Sequence, residues 1–177
     1  MKIDQLEQIA REAGFTCFAP LDIKTIELKE EVRQMCADNV CHQYNKRWSC
    51  PPGCGTLEEC RQRIGSYSYG ILVQTVGEVE DSFDYDSMKE MESSHKKNFQ
   101  RMLDILRQSC DHLLPLSAGA CTCCEHCTYP DAPCRFPDRM TASMEAYGMI
   151  VLEVCKANGM QYYYGSDKIA FTSCFLL

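Results

Sequence analysis

Ten of the fourteen cysteines in this chain fall in two short stretches. One holds Cys36, Cys41, Cys50, Cys54 and Cys60; the other holds Cys121, Cys123, Cys124, Cys127 and Cys134. No other feature constrains the fold as much, because each stretch must either gather its thiols around something or bury them. At 14 in 177 residues, about 8%, cysteine reaches the lower edge of disulfide-scaffold compositions. A chain of this length buries an ordinary core without covalent staples. Its opening, MKIDQLEQIAREAG, has acids where an export signal needs an unbroken apolar run. The expectation is a cytoplasmic protein in a reducing compartment, with clustered thiols that bind metal.

The spacing in the second stretch is the sharper signal. Cys121, Cys124, Cys127 and Cys134 read C-x2-C-x2-C-x6-C, with Pro137 soon after. Successive x2 gaps wrap one tight loop around one point, and the fourth thiol arrives from further along to close the shell. The logic is that of the bacterial ferredoxin run, with a longer last gap. A 4Fe-4S cluster is the expected occupant. Zinc is the alternative, although structural zinc sites usually use two separated C-x2-C knuckles. A disulfide between adjacent Cys123 and Cys124 would be strained; Cys123, outside the x2 register, reads as a spectator facing the other way. His126 reads as a hydrogen-bond donor to a cluster sulfur or as a solvated loop residue.

In the first stretch, Pro51-Pro52-Gly53 gives a rigid turn beside Cys54, and Gly53 and Gly55 permit sharp turns. Spacing does not decide which four of Cys36, Cys41, Cys50, Cys54 and Cys60 would bind metal. The expectation is a second site, separate from the first, because each stretch has enough thiols for its own shell. Lys46, Arg47, Arg135 and Arg139 flank the two stretches. Cys17, Cys110, Cys155 and Cys174 stand singly in apolar segments and read as small core residues.

The remaining sequence alternates helical and extended patterns. Helices are expected from Ile3 to Ala13, from Leu28 to Ala37, after the cap Thr56, and from Ser87 to His112, the last with an inward Met/Phe stripe. Another is expected from Thr141 or Ser143 through Val154, its N-terminus aimed at the second cysteine loop and Glu145 in a capping role. Strands are expected at Phe15–Ala19, Tyr67–Val76, Tyr162–Tyr164 and Ile169–Leu176, with a short extended piece at Leu116–Ala120. This pattern suggests one α/β or α+β layer domain over 1–177, with cysteine regions 36–60 and 121–137 on its rim.

Charge narrows the partners. Eighteen Lys and Arg against 25 Asp and Glu give a net charge of −7, which disfavours nucleic acid and anionic membranes. No apolar run reaches the length of a membrane span, and no phosphate-binding glycine loop occurs.

The stretches Cys41-His-Gln-Tyr-Asn-Lys-Arg-Trp-Ser-Cys50-Pro-Pro and Gly119-Ala-Cys121-Thr-Cys-Cys124-Glu-His-Cys127 carry a resemblance. With Pro133-Cys134-Arg-Phe-Pro137 and Ser143-Met-Glu145-Ala-Tyr-Gly148, they resemble the DUF2284 family of predicted metal-binding proteins. The resemblance implies metal binding and names no reaction. The functional expectation is an iron–sulfur electron-transfer or accessory redox protein with a redox protein partner. The alternatives are an enzyme with an open cluster site and a zinc-stabilised interaction module.

Overall fold

The computed structural model describes residues 1–81 and 83–177. Ten regular elements follow in the order α1 (Ile3–Ala13), β1 (Cys17–Leu21), α2 (Glu30–Ala37), α3 (Leu57–Ile64), β2 (Gly70–Glu78), α4 (Tyr85–Arg107), β3 (Leu114–Ser117), β4 (Ala142–Ser143), α5 (Val151–Ala157) and β5 (Lys168–Leu176), with short 3-10 turns at Ile23–Thr25 and Glu145–Tyr147. The strands form one sheet in the order β1-β2-β5-β3-β4. Every pairing is antiparallel except that of β3 with β4. The architecture is a single α+β domain.

The apolar run of β2 supplies both faces of the sheet, because alternate side chains point to opposite sides. Ile71 and Val73 join Phe175 of β5 against α1 and α4, meeting Leu6, Ala10, Phe99 and Met102. Leu72, with Cys174 and Leu176 of β5, faces the other way, toward Cys54, Cys60, Tyr147 and Met149. The register enforces this division: Leu72 lies opposite Cys174 and Ile71 opposite Phe175. One face therefore packs on long helices, and the other on the elements that carry the first cysteine region. The inward stripe on α4 holds as expected, with His95, Phe99, Met102 and Leu106 buried. Of the single cysteines, Cys155 and Cys174 are buried while Cys17 and Cys110 are half-buried.

Three expectations are corrected. No helix starts at Thr141 or Ser143; Ala142–Ser143 pairs with Leu116–Ser117 as β4. The chain then makes a 3-10 turn and reaches Gly148 at φ 91°, a left-handed conformation that stops a helix. Helix α5 begins only at Val151. Helix α4 ends at Arg107, well before His112, and Pro115 sits inside β3. Tyr162–Tyr164 is not a strand, and this part of the chain supplies only β5, which lies between β2 and β3.

No described helix is long and apolar enough to cross a membrane. The cysteine regions occupy two irregular segments, 38–56 and 118–141, with Cys36 in the last turn of α2 and Cys60 in α3.

Candidate metal centre

The first region is built from the end of α2, an irregular loop and the start of α3. Asn39, His42 and Asn45 all have φ between 55° and 58°. Three left-handed non-glycine residues in so short a span mark a tightly wound loop, and asparagine and histidine tolerate the conformation better than most. The Asn39 side chain fixes the winding by accepting from the Tyr44 backbone N–H at 3.0 Å. Thr56 caps α3 reciprocally with Glu59, whose carboxylate takes the Thr56 N–H at 2.7 Å.

The five thiols of this region divide into two groups. Cys36, Cys41 and Cys50 line one cavity of about 210 Å3, together with Tyr44, Glu145 and Ala146. Burial pushes the thiol pKa of Cys36 up, and nearby Cys41 adds to the effect. Cys50 is raised by burial too, opposed by its contact with Ser49. Both must therefore lose a tightly held proton to bind a metal.

Cys54 and Cys60 form the other group, and both are buried. Arg33 of α2 reaches across to them: its Nη1 lies 3.5 Å from the Cys54 sulfur and 3.9 Å from the Cys60 sulfur. The same guanidinium donates to the carbonyls of Gly55 and Ala146. Cys54 in turn donates to the Ala146 carbonyl at 3.6 Å. Hydrogen bonding to Cys60, then burial, drives the Cys54 pKa strongly upward. The hydrogen bond from Cys54 lowers that of Cys60 to about 7 against the cost of burial, with Arg33 and Arg63 assisting.

The second region lies in segment 118–141. Cys121, Cys124, Cys127 and Cys134 are all half-buried. Cys123 donates its S–H to the Arg139 carbonyl at 3.3 Å. Burial and the neighbouring Cys121 push its pKa up to about 11. The His126 side chain is 90% exposed, so it stands in solvent. Arg135 donates to the His126 carbonyl at 2.7 Å and braces the loop from within. Among the described residues, no three or more His, Cys, Asp or Glu side chains close in enough to hold a single metal ion.

The two regions are stitched together along 45–49. Arg47 donates to the Cys121 carbonyl at 3.0 Å, and the Cys121 N–H donates to the Ser49 hydroxyl at 3.3 Å. Trp48 donates from its indole nitrogen to the Ala132 carbonyl at 3.1 Å. Its ring meets Tyr129 edge-on at 4.8 Å, and the Tyr129 hydroxyl reaches Asn45 at 3.2 Å. The expectation of a helix N-terminus aimed at Cys134 is overturned, because no helix begins near Thr141. Glu145 instead lines the cavity of Cys36, Cys41 and Cys50.

Sequence reasoning picked out Arg47, Arg135 and Arg139 but missed Arg33, the cation that meets sulfur. Its signal was local: Arg33 precedes Cys36 by three residues on one helix, so both share a face. Arg63 was missed as well; it donates to the Cys54 carbonyl at 2.7 Å and to the Tyr147 hydroxyl at 3.0 Å.

No curated protein and no solved structure matches the sequence. A family match covers residues 19–177, nearly the whole chain and both cysteine regions, under the description "predicted metal-binding protein". The chain belongs to the DUF2284 family of predicted metal-binding proteins.

Proposed function

We propose that this metal-binding protein carries iron–sulfur clusters and serves electron transfer, either as a carrier or as an accessory to a redox partner protein. The observation that carries the reading is the pairing of two soft-donor sets in adjoining segments. Cys36, Cys41 and Cys50 share one cavity, and Cys121, Cys124, Cys127 and Cys134 share the loop bonded to it through Arg47 and Ser49. Thiolates select zinc, copper(I) or iron–sulfur clusters over hard cations. The cavity of about 210 Å3 exceeds the roughly 10–15 Å3 that one water needs, so it has room for an occupant of several atoms. The thiol donors of both regions are of the chemical type that the group implied by the spacing of the second region requires.

In this reading Cys121, Cys124, Cys127 and Cys134 hold a 4Fe-4S cluster. Cys36, Cys41 and Cys50 hold a second group, with Glu145 beside it. When bound, such clusters supply one-electron chemistry. The chain's own task is to exclude water and to offset thiolate charge with fixed donors. Fourteen free thiols fit a reducing compartment such as the cytoplasm. Three cysteines and a carboxylate around one cavity favour a second reading, in which this site keeps an open coordination position and acts on a substrate.

Anaerobic purification followed by iron, zinc and acid-labile sulfide analysis tests the proposal. The expected result is brown protein with about eight irons and eight sulfides per chain. Stoichiometric zinc without sulfide in anaerobically handled protein would replace it with a zinc-stabilised module. Cys124→Ala should lower bound iron by about half, whereas Cys123→Ala should leave it unchanged.

A further inference from the structure

A cleft of about 740 Å3 opens between the two cysteine regions and shares no lining residue with the cavity of Cys36, Cys41 and Cys50. Its volume lies within the roughly 300–1,000 Å3 typical of small-molecule sites. Cys54 of the first region and Cys134 of the second both line it, so an occupant would touch both. Much of the wall is proline: Pro115, Pro130, Pro133 and Pro137. Fixed backbone angles make that wall preformed, which lowers the entropy lost on binding. Trp48 and Tyr147 add flat aromatic surface, and Leu114, Leu116 and Met140 complete an apolar lining.

The polar groups are few and lean to one sign. Arg63 and Arg107 face the cleft against a single carboxylate, Asp131. Arg63 is held in place through its bonds to the Cys54 carbonyl and the Tyr147 hydroxyl, and its guanidinium carbon lies 5.9 Å from the centre of the Tyr147 ring. Arg107 has no ion-pair partner among the described residues. A preformed apolar slot with two guanidiniums recognises a planar apolar body carrying a carboxylate, since the guanidinium fork matches carboxylate geometry. We infer that this cleft is the binding site for a flat, largely apolar small-molecule carboxylate, placed in contact with both cysteine regions. The inference goes beyond the metal reading and holds whichever metal the thiols bind.

The test uses the protein as purified and compares two probes by titration calorimetry: 2-naphthoate and its neutral counterpart 2-naphthylmethanol. The expected result is one saturable site at which the carboxylate binds about tenfold more tightly, the margin of a charge-assisted hydrogen bond. Trp48 is the sole tryptophan, so its fluorescence should change with the same dissociation constant. The Arg63→Gln/Arg107→Gln double variant should bind both probes alike. Arg61→Gln, at an exposed residue paired with Glu58 at 2.5 Å outside the cleft, should keep the preference. Equal affinity of wild type for the two probes, or no binding of 2-naphthoate, overturns the inference. So does a preference that survives in the double variant. Metal content measured on the same samples separates a failure here from a failure of the metal reading.

Discussion

His95 lies on the inward face of α4 at 0% exposure, its ring nitrogens 3.0 Å from the Thr75 hydroxyl and 2.6 Å from the Ser173 hydroxyl. Burial, with Lys96 adding, lowers its pKa to about 4 from the usual 6.5. The fold therefore holds a neutral imidazole, while the unfolded chain takes up a proton below pH 6.5. Stability from this residue is complete above pH 6.5 and drains away as pH falls toward 4, by about 3 kcal/mol in all. His95→Gln keeps hydrogen-bonding capacity and removes the titration. Urea unfolding from pH 7.5 to 4.5 should show a shallower acid limb in that variant; an unchanged limb would mean that other groups set it. Arg33 poses a different residue-scale question. Arg33→Met strips two donors from the carbonyls of Gly55 and Ala146. With Ala146 buried and Gly55 half-buried, and about 1–3 kcal/mol for a buried group left unpaired, it should lower unfolding free energy by about 2 kcal/mol. Neither residue stood out in the sequence as more than a member of a helical pattern. What each does depends on partners 20 to 113 positions away, and spacing does not encode such distances.

At the scale of elements, the local signals were the legible ones. Thr56 was legible as an N-cap, and α3 starts one residue later, with Glu59 completing a capping box in the structure. The run Tyr67–Val76 gave a strand, observed as Gly70–Glu78, and the stripe through His95, Phe99, Met102 and Leu106 gave the buried face of α4. Thr56→Ala should cost about 1 kcal/mol in chemical denaturation, as loss of a cap usually does. The segment from Thr141 to Val154 misled because its apolar spacing is helical throughout. Tertiary pairing won there: Ser143 lies beside Ser117 in the sheet, and the left-handed Gly148 divides the segment in two. The cysteine loops were legible as loops and as metal-binding in type. Their mutual docking through Trp48, Tyr129 and Arg47 was not, since it joins residues more than 70 positions apart. Trp48→Phe keeps an aromatic ring but loses the bond to the Ala132 carbonyl, so segment 118–141 should loosen. Limited trypsin digestion should then cut faster after Arg135 and Arg139, with little change elsewhere.

For the whole molecule, the sheet separates two cores that differ in what they depend on. Behind one face, α1 and α4 bury Leu6, Phe99, Met102 and Leu106 against Ile71, Val73 and Phe175, with Phe99 and Phe175 stacked at 4.7 Å. Among the described residues, no cysteine belongs to that cluster. Each buried Leu or Phe adds about 1.5–3 kcal/mol by leaving water, so this half has a stabilising core of its own. Behind the other face, Leu72, Cys174 and Leu176 pack on Tyr147, Met149 and the Cys54–Cys60 pair, which bear directly on the cysteine loops. Those loops, 38–56 and 118–141, contain no helix or strand. Their order depends on scattered hydrogen bonds and, in the proposed reading, on metal–thiolate bonds. Stripping the metal should therefore act on one side of the sheet. Amide hydrogen exchange on chelator-treated protein should show β2, β5 and the second half of α4 still protected. Segments 38–56 and 118–141 should exchange freely, and far-UV circular dichroism should lose little. If protection in β2 and α4 collapses together with the loops, the two cores are one cooperative unit, and the metal supports the entire fold.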